Sequence, residues 1–201
     1  APRRPREDPA RPGEAPGGPR EALGFPARIV ERFSTGEVER ALDLGCAVGR
    51  SAFELSRAAA EVVAIDYSQG FIDAAKAMQS AGRGEVSRLE EGHCRESLVV
   101  ESPPGTLPER ITFEQGDAMS LRPGLGSFDR VLAANLLCRL SEPGRLLGRL
   151  SELVRSGGEL ILTTPCTWLE EFTPEAHWPP GSTLDWLREE LATHFELLEE
   201  H

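Results

Sequence analysis

The sequence predicts an α/β domain in which a mostly parallel sheet carries helices on both faces. Two observations lead there. From residue 24 onward short apolar runs alternate with amphipathic segments, the pattern of strands and helices taking turns around a parallel sheet. The 201 residues, 39% apolar and 27% charged, also suit one soluble globular domain of ordinary size.

Each element follows from its own residues. Residues 1–22 are rich in proline, arginine and glycine, with too little apolar surface to offset the entropy of ordering them, and are expected to form a disordered tail. The folded domain is expected over 23–201. Residues 42–44 form a first buried strand, and 51–60 a helix presenting Phe53 and Leu55. Residues 61–65 make the second strand. Ser68 is placed to cap a helix whose Phe71, Ala74, Ala75 and Met78 recur at helical spacing, and Gly82 suits its end. Residues 83–109 show no clear period and read as an irregular insertion. Strands resume at 111–115 and 128–134. Ser141 with Pro143 opens a helix carrying Leu146, Leu147, Leu150 and Val154, closed by Gly157 before a strand at 160–163. A last helix, about 184–194, leads into an expected edge strand at 195–198.

Charge and cysteine usage narrow the function. With 33 acidic and 22 basic side chains the chain carries -11 at pH 7, which disfavours nucleic acid and anionic lipid as partners. The sequence has no apolar run of the roughly 18 residues needed to span a bilayer. Cys46, Cys94, Cys138 and Cys166 are widely spaced with no CxxC pair, so no metal site is expected, and reduced thiols in the cytoplasm are. The chain starts with Ala and lacks the apolar core of a secretory signal, the reading of a fragment or processed form. Oligomeric state leaves no trace in the sequence.

The sharpest constellation is Asp43-Leu44-Gly45-Cys46-Ala47-Val48-Gly49-Arg50, between a buried strand and a helix. Glycines there let the backbone turn tightly and approach a ligand closely. The spacing is not the G-x-G-x-x-G of dinucleotide binders, and a phosphate-free nucleoside fits it better. Asp66 ends the second strand, where a carboxylate can accept the hydroxyls of a ribose lying over the glycine loop. Gly116-Asp117-Ala118 ends the third strand and places a second carboxylate further along the same edge, suited to an adenine amino group. Either acid alone is commonly a helix cap. Two at consecutive strand ends beside a glycine loop point to a nucleoside site.

These residues resemble a class I S-adenosylmethionine-dependent methyltransferase of the type 11 kind, over about residues 25–200. The resemblance implies a Rossmann-like fold with S-adenosyl-L-methionine as cofactor. It also implies a final antiparallel strand that this sequence does not reach. Asp43, Gly45, Cys46, Ala47 and Gly49 would form the sulfonium-side loop, Asp66 with Tyr67 the ribose side, and Gly116, Asp117 and Ala118 the adenine side, with Asn135 a further cofactor contact. Within that class, Asp43–Arg50, Gln115–Ala118, Val131–Leu136 and Thr167–Pro174 together look like the mercaptohistidine N-methyltransferase family, which methylates the π nitrogen of 5-mercaptohistidine in ovothiol biosynthesis. Methyltransfer to another small metabolite and a catalytically silent cofactor-binding module are the alternatives.

Methyl transfer from a sulfonium requires chiefly that the acceptor be held in line with the departing sulfur. An imidazole titrating near 6.5 is already largely neutral at pH 7, so positioning groups are expected rather than a strong base. Asn135, the only asparagine, sits just past the fourth strand, where its amide can fix an imidazole or a carboxylate, or simply form a turn. Trp168 and Glu171 are the other acceptor candidates. An aromatic face suits an imidazole and a carboxylate suits an α-ammonium, although anchoring of a surface loop would use the same residues. Glu170 and Glu171, being neighbours, are not expected both to face inward.

Overall fold

The structure, a computed structural model, describes residues 19–200. In chain order the elements are α1 (Pro19–Val30), β1 (Val38–Leu44), α2 (Arg50–Leu55), β2 (Ala59–Asp66), α3 (Gln69–Ala81), β3 (Arg83–Glu91), β4 (Cys94–Glu101), β5 (Ile111–Gln115), β6 (Phe128–Ala134), α4 (Pro143–Leu153), β7 (Val154–Thr163) and α5 (Thr183–Leu191). Five strands form one sheet in the order β5-β2-β1-β6-β7, every neighbouring pair parallel. The α/β, Rossmann-like class is therefore as expected.

Period-2 alternation distributes the core over both faces of this sheet. Leu42, Leu44, Val63, Ile65, Val131 and Ala133 pack with Leu146, Leu147, Leu150 and Leu153 of α4. Their neighbours Ala41, Val62, Ala64 and Leu132 pack with Ala52, Phe53 and Leu55 of α2 and Ile72 and Ala75 of α3. The chain runs from β1 outward to β2 and β5, then returns across β1 to β6 and β7. The strand order thus reverses between β1 and β6, and the carboxyl ends of those strands open the crevice in which such sheets hold ligands.

Five elements differ from the sequence reading. The expected tail lies outside the described residues except for 19–22, which open α1. Residues 83–109 are not irregular: β3 and β4 pair as an antiparallel hairpin closed at its base by the Ser102 N–H on the Gly82 carbonyl, 2.9 Å. Helix α4 stops at Leu153 rather than at Gly157, because Val154 already pairs with Phe128 and the following residues make a register shift in β7. Gly158 fits that shift because a Cβ would stand 2.9 Å from the Asp129 carbonyl. Residues 195–198 form no strand. Leu197 and Leu198 are exposed, and ion pairs of Glu199 with Arg32 and of Glu200 with Arg188 hold the segment in place of a ladder. Helix α2 is also shorter than expected, since Ala59 already belongs to β2 and pairs with Val38.

The opposite edge of the sheet is closed by buried charge. Asp129 is 5% exposed, its Oδ2 accepts the backbone N–H groups of Glu39 (3.1 Å) and Arg40 (2.8 Å), and its Oδ1 pairs with Arg155. Asp129→Ala strands these donors, and a loss of roughly 3 kcal/mol is expected. Urea unfolding should show a lower midpoint at unchanged slope.

Candidate functional site

The glycine loop leaves β1 and immediately bonds to its neighbour: Gly45 N–H and Cys46 N–H both donate to the Ile65 carbonyl, at 2.8 and 3.1 Å. Left-handed backbone at Gly45 (φ 72°), Ala47 (φ 48°) and Gly49 (φ 89°) folds the loop back on itself, and Gly49 N–H closes it on the Cys46 carbonyl. Ala47 is a costly residue for that conformation. Its compensation is direct, because the Ala47 N–H donates to Asp66 Oδ2 at 2.9 Å. Asp66 Oδ1 accepts from Ser68 N–H at 2.8 Å, and the Ser68 hydroxyl in turn caps α3 on Phe71 N–H. One carboxylate therefore joins the glycine loop to the start of α3 and keeps spare acceptor capacity on both oxygens.

The other predicted positions gather at the same edge. Gly116 N–H donates to the Asp66 carbonyl at 2.9 Å, which brings the end of β5 against the end of β2. Asp117 Oδ1 caps the following turn through Met119 N–H at 2.8 Å, and Ala118 is buried. A cleft of about 200 Å³ opens here, lined among others by Ile65, Gln115, Gly116 and Leu121. Val48, Tyr67 and Phe71 expose apolar surface beside the loop, Tyr67 at 75%. Asn135, at φ 54°, donates its N–H to the Thr163 carbonyl (2.9 Å) and its Oδ1 accepts from the Thr163 hydroxyl (3.2 Å). Left-handed backbone at Asn135 and Cys166 adds to the strain concentrated at this edge.

Asp43 is the electrostatic centre. It is 1% exposed, and its Oδ2 has no hydrogen-bond partner. Burial, with the nearby Asp66 charge second, pushes its carboxyl up to about 7, against a weaker pull from the Ala52 backbone N–H. Burial also raises the adjoining Cys46 thiol, helped by Asp43 and Asp66, so Cys46 is a neutral packing residue rather than a thiolate. An uncompensated buried carboxylate beside a second acid favours a cationic ligand.

The sign of the pH dependence follows. Between about 4 and 7 the folded chain keeps a proton on Asp43 that the unfolded chain has released, so the stability of the free protein falls as pH rises through that window. Binding of a cation favours the charged carboxylate, so its affinity should rise with pH up to about 7 and flatten above. Thermal melts and ligand titrations across that range check both slopes, and Asp43→Asn should flatten both.

The acceptor candidates divide. Trp168 is half-buried, packs edge-on against Trp186 at 6.2 Å, and donates its indole N–H to Thr183 Oγ1 at 2.9 Å. Its polar atom is thus occupied by loop anchoring. Glu170 and Glu171 are both exposed. Two residues given no role from the sequence, Leu136 and Arg139, lie at this edge. Leu136 Cδ1 lies 3.0 Å from where a Cβ on Gly45 would stand, so the turn after β6 abuts the glycine loop. In that turn Arg139 stacks on Phe172, 4.4 Å from the ring centroid. Among the described residues no group of three or more His, Cys, Asp or Glu is placed to hold a metal ion, and no helix is long and apolar enough to cross a membrane.

Comparison with known proteins places the arrangement. The chain is 30% identical over 151 residues to the magnesium-protoporphyrin O-methyltransferase of Rhodobacter capsulatus, covering 70% of this chain and 55% of that protein. It is 24% identical over 135 residues to methyltransferase GfsG of Streptomyces halstedii, covering 67% and 41%. The chain thus spans about half the length of the curated relatives it matches. Among solved structures, a candidate methyltransferase from Bacillus halodurans superposes with a TM-score of 0.60 at 19% identity, over 88% of this chain and 71% of that one, a likeness of fold. The family model described as a methyltransferase domain matches residues 42–162, from inside β1 to the end of β7, and the chain belongs to that family.

Proposed function

We propose that this chain transfers a methyl group from S-adenosyl-L-methionine to a small-molecule nucleophile, and that the acceptor is the imidazole π nitrogen of 5-mercaptohistidine. The observation that carries the first half is the Asp66 carboxylate, which ties the glycine loop to α3 at the strand-order reversal and retains free lone pairs. The residues present fit the cofactor. Its sulfonium and α-ammonium are cationic, and the orphaned Asp43 Oδ2 is a buried carboxyl oxygen without a partner, in a group that a bound cation would drive to its charged form. Gly45, Cys46, Ala47 and Gly49 would hold the methionine half along their backbone, Asp66 and Tyr67 the ribose, and Gly116, Asp117 and Ala118 the adenine. Bound there, S-adenosyl-L-methionine supplies an electrophilic methyl group.

The chain's own part is positioning. Asn135 is fixed through Thr163 and presents its amide at the end of β6, where it can orient the acceptor. Glu171 is exposed and can meet the α-ammonium of an amino acid; Trp168 can offer only its ring, since Thr183 holds its N–H. A neutral imidazole is a competent nucleophile near pH 7, so these groups suffice without a general base. The resemblance of the blocks Asp43–Arg50, Gln115–Ala118, Val131–Leu136 and Thr167–Pro174 to the mercaptohistidine N-methyltransferase family is what favours this acceptor. A second reading, an oxygen nucleophile on another metabolite, is favoured by the O-methyltransferase relative.

Incubating the purified chain with S-adenosyl-L-methionine, 5-mercaptohistidine and histidine tests the proposal by mass spectrometry. A single methyl added to the thiol compound is expected. Cofactor binding without that product would overturn the acceptor and leave the cofactor half standing.

A further inference from the structure

We infer that the methyl acceptor carries a carboxylate, and that Arg139, held against Phe172 over the turn after β6, is the side chain that binds it. This rests on the methyltransfer reading and names the substrate chemistry of that same site. Position is the first support. The turn leaves β6 at the strand-order reversal, Leu136 touches the glycine loop, and Arg139 N–H closes one tight turn on the Leu136 carbonyl at 2.8 Å. A group on Arg139 therefore lies one turn from the residue that abuts the sulfonium-side loop.

Unspent hydrogen-bonding capacity is the second. Several other arginines of the fold are committed: Arg130 donates to the Ser34 and Gly36 carbonyls, Arg40 to Glu61, Arg122 to Glu114. None of the ion pairs among the described residues involves Arg139; its guanidinium is exposed and contacts the face of Phe172. Stacking leaves the in-plane N–H fork open, which is the geometry that takes a carboxylate bidentately.

Pre-organisation is the third. Phe172 belongs to a segment pinned to the same turn. The buried Thr173 hydroxyl donates to the Leu140 carbonyl at 2.7 Å, His177 Nδ1 donates to the Ser141 carbonyl at 2.7 Å, and Trp178 Nε1 donates to the Thr173 carbonyl at 2.7 Å. The aromatic support is thus in place before any ligand arrives, which lowers the ordering cost of binding. On a chain of net charge -11 an anionic substrate needs a local cation. One guanidinium suits a singly charged carboxylate rather than a phosphate.

The test compares 5-mercaptohistidine with its methyl ester, and histidine with histamine, as acceptors for wild type, Arg139→Gln and Arg139→Lys, with S-adenosylhomocysteine affinity measured alongside. Wild type should favour each acid over its neutral-ended partner by tenfold or more, mostly in KM. Arg139→Gln should lose that preference at unchanged S-adenosylhomocysteine affinity and melting temperature, and Arg139→Lys should recover part of it. An acid preference that survives Arg139→Gln overturns the inference. So does a wild type that takes the ester or the amine as readily as the acid, or that binds S-adenosylhomocysteine yet accepts neither acid. Failure of folded wild type to bind S-adenosylhomocysteine at all would instead overturn the methyltransfer reading beneath it.

Discussion

Gly49→Ala is expected to lower stability by about 3 kcal/mol and to abolish cofactor binding in what remains folded. Two costs combine. Gly49 has φ 89°, a left-handed conformation that an alanine adopts only with strain. A Cβ there would also stand 2.6 and 2.7 Å from Cζ and Cε1 of Phe113. That ring has little room to retreat, being 4% exposed and packed against Phe53 at a centroid distance of 6.0 Å. Relief must come from the loop itself, through the Gly49 N–H bond to Cys46 and the Phe53 N–H bond to the Gly49 carbonyl that starts α2. Gly82→Ala is the control: φ is 69°, but nothing lies within 4 Å of the added carbon, so about 1 kcal/mol is expected. Equal losses in chemical denaturation would show that the Phe113 contact carries no weight.

Asp66→Ala is expected to weaken S-adenosylmethionine binding by roughly 100-fold, about 3 kcal/mol, while lowering stability by roughly 1–2 kcal/mol. The stability loss follows from two backbone donors, Ala47 N–H and Ser68 N–H, that lose their acceptor. Asp66 is only half-buried, so water replaces part of that bonding. The binding loss is larger because the charged acceptor and the geometry of the loop disappear together: Ala47, at φ 48°, is held in its strained conformation by the lost bond. Asp66→Asn keeps one acceptor oxygen and should fall between the two. Competition dialysis with S-adenosylhomocysteine ranks the three chains, and an unimpaired Asp66→Ala would remove the carboxylate from the site.

Legibility in the sequence tracked burial. The central strands β1, β2 and β6 carry buried apolar runs because both faces of the sheet are covered there, so their positions stood out, and the candidate residues at their carboxyl ends followed from them. Asp43, Gly45, Gly49, Asp66, Gly116, Asp117 and Asn135 do lie along one sheet edge. The β3–β4 hairpin was not legible, because it is largely exposed, with only Gly84, Leu98 and Val100 half-buried, and its sequence carries no sustained apolar alternation. Its pairing rests on cross-strand contacts such as Arg88 with Glu96 and Arg95 with Ser87. The boundary between α4 and β7 was misplaced because Gly157 resembles a helix stop, while tertiary pairing of Val154 with Phe128 ends the helix earlier. Residues 195–198 look like a strand by composition but have Leu197 and Leu198 exposed and no partner edge. At the site, the anchoring of Trp168 on Thr183 and the stacking of Arg139 on Phe172 join residues 15 and 33 positions apart, which no local pattern encodes.

On the reading proposed above, the cofactor lies over the glycine loop at the carboxyl edge of the sheet. Amide NMR of the isotope-labelled chain titrated with S-adenosyl-L-methionine tests it most directly. Saturable, one-to-one shifts are expected, largest at Gly45–Gly49, Asp66–Ser68 and Gly116–Ala118, with the β3–β4 hairpin still. Absence of shifts in the folded chain, or shifts centred on the hairpin and the buried Asp129 edge, would contradict it.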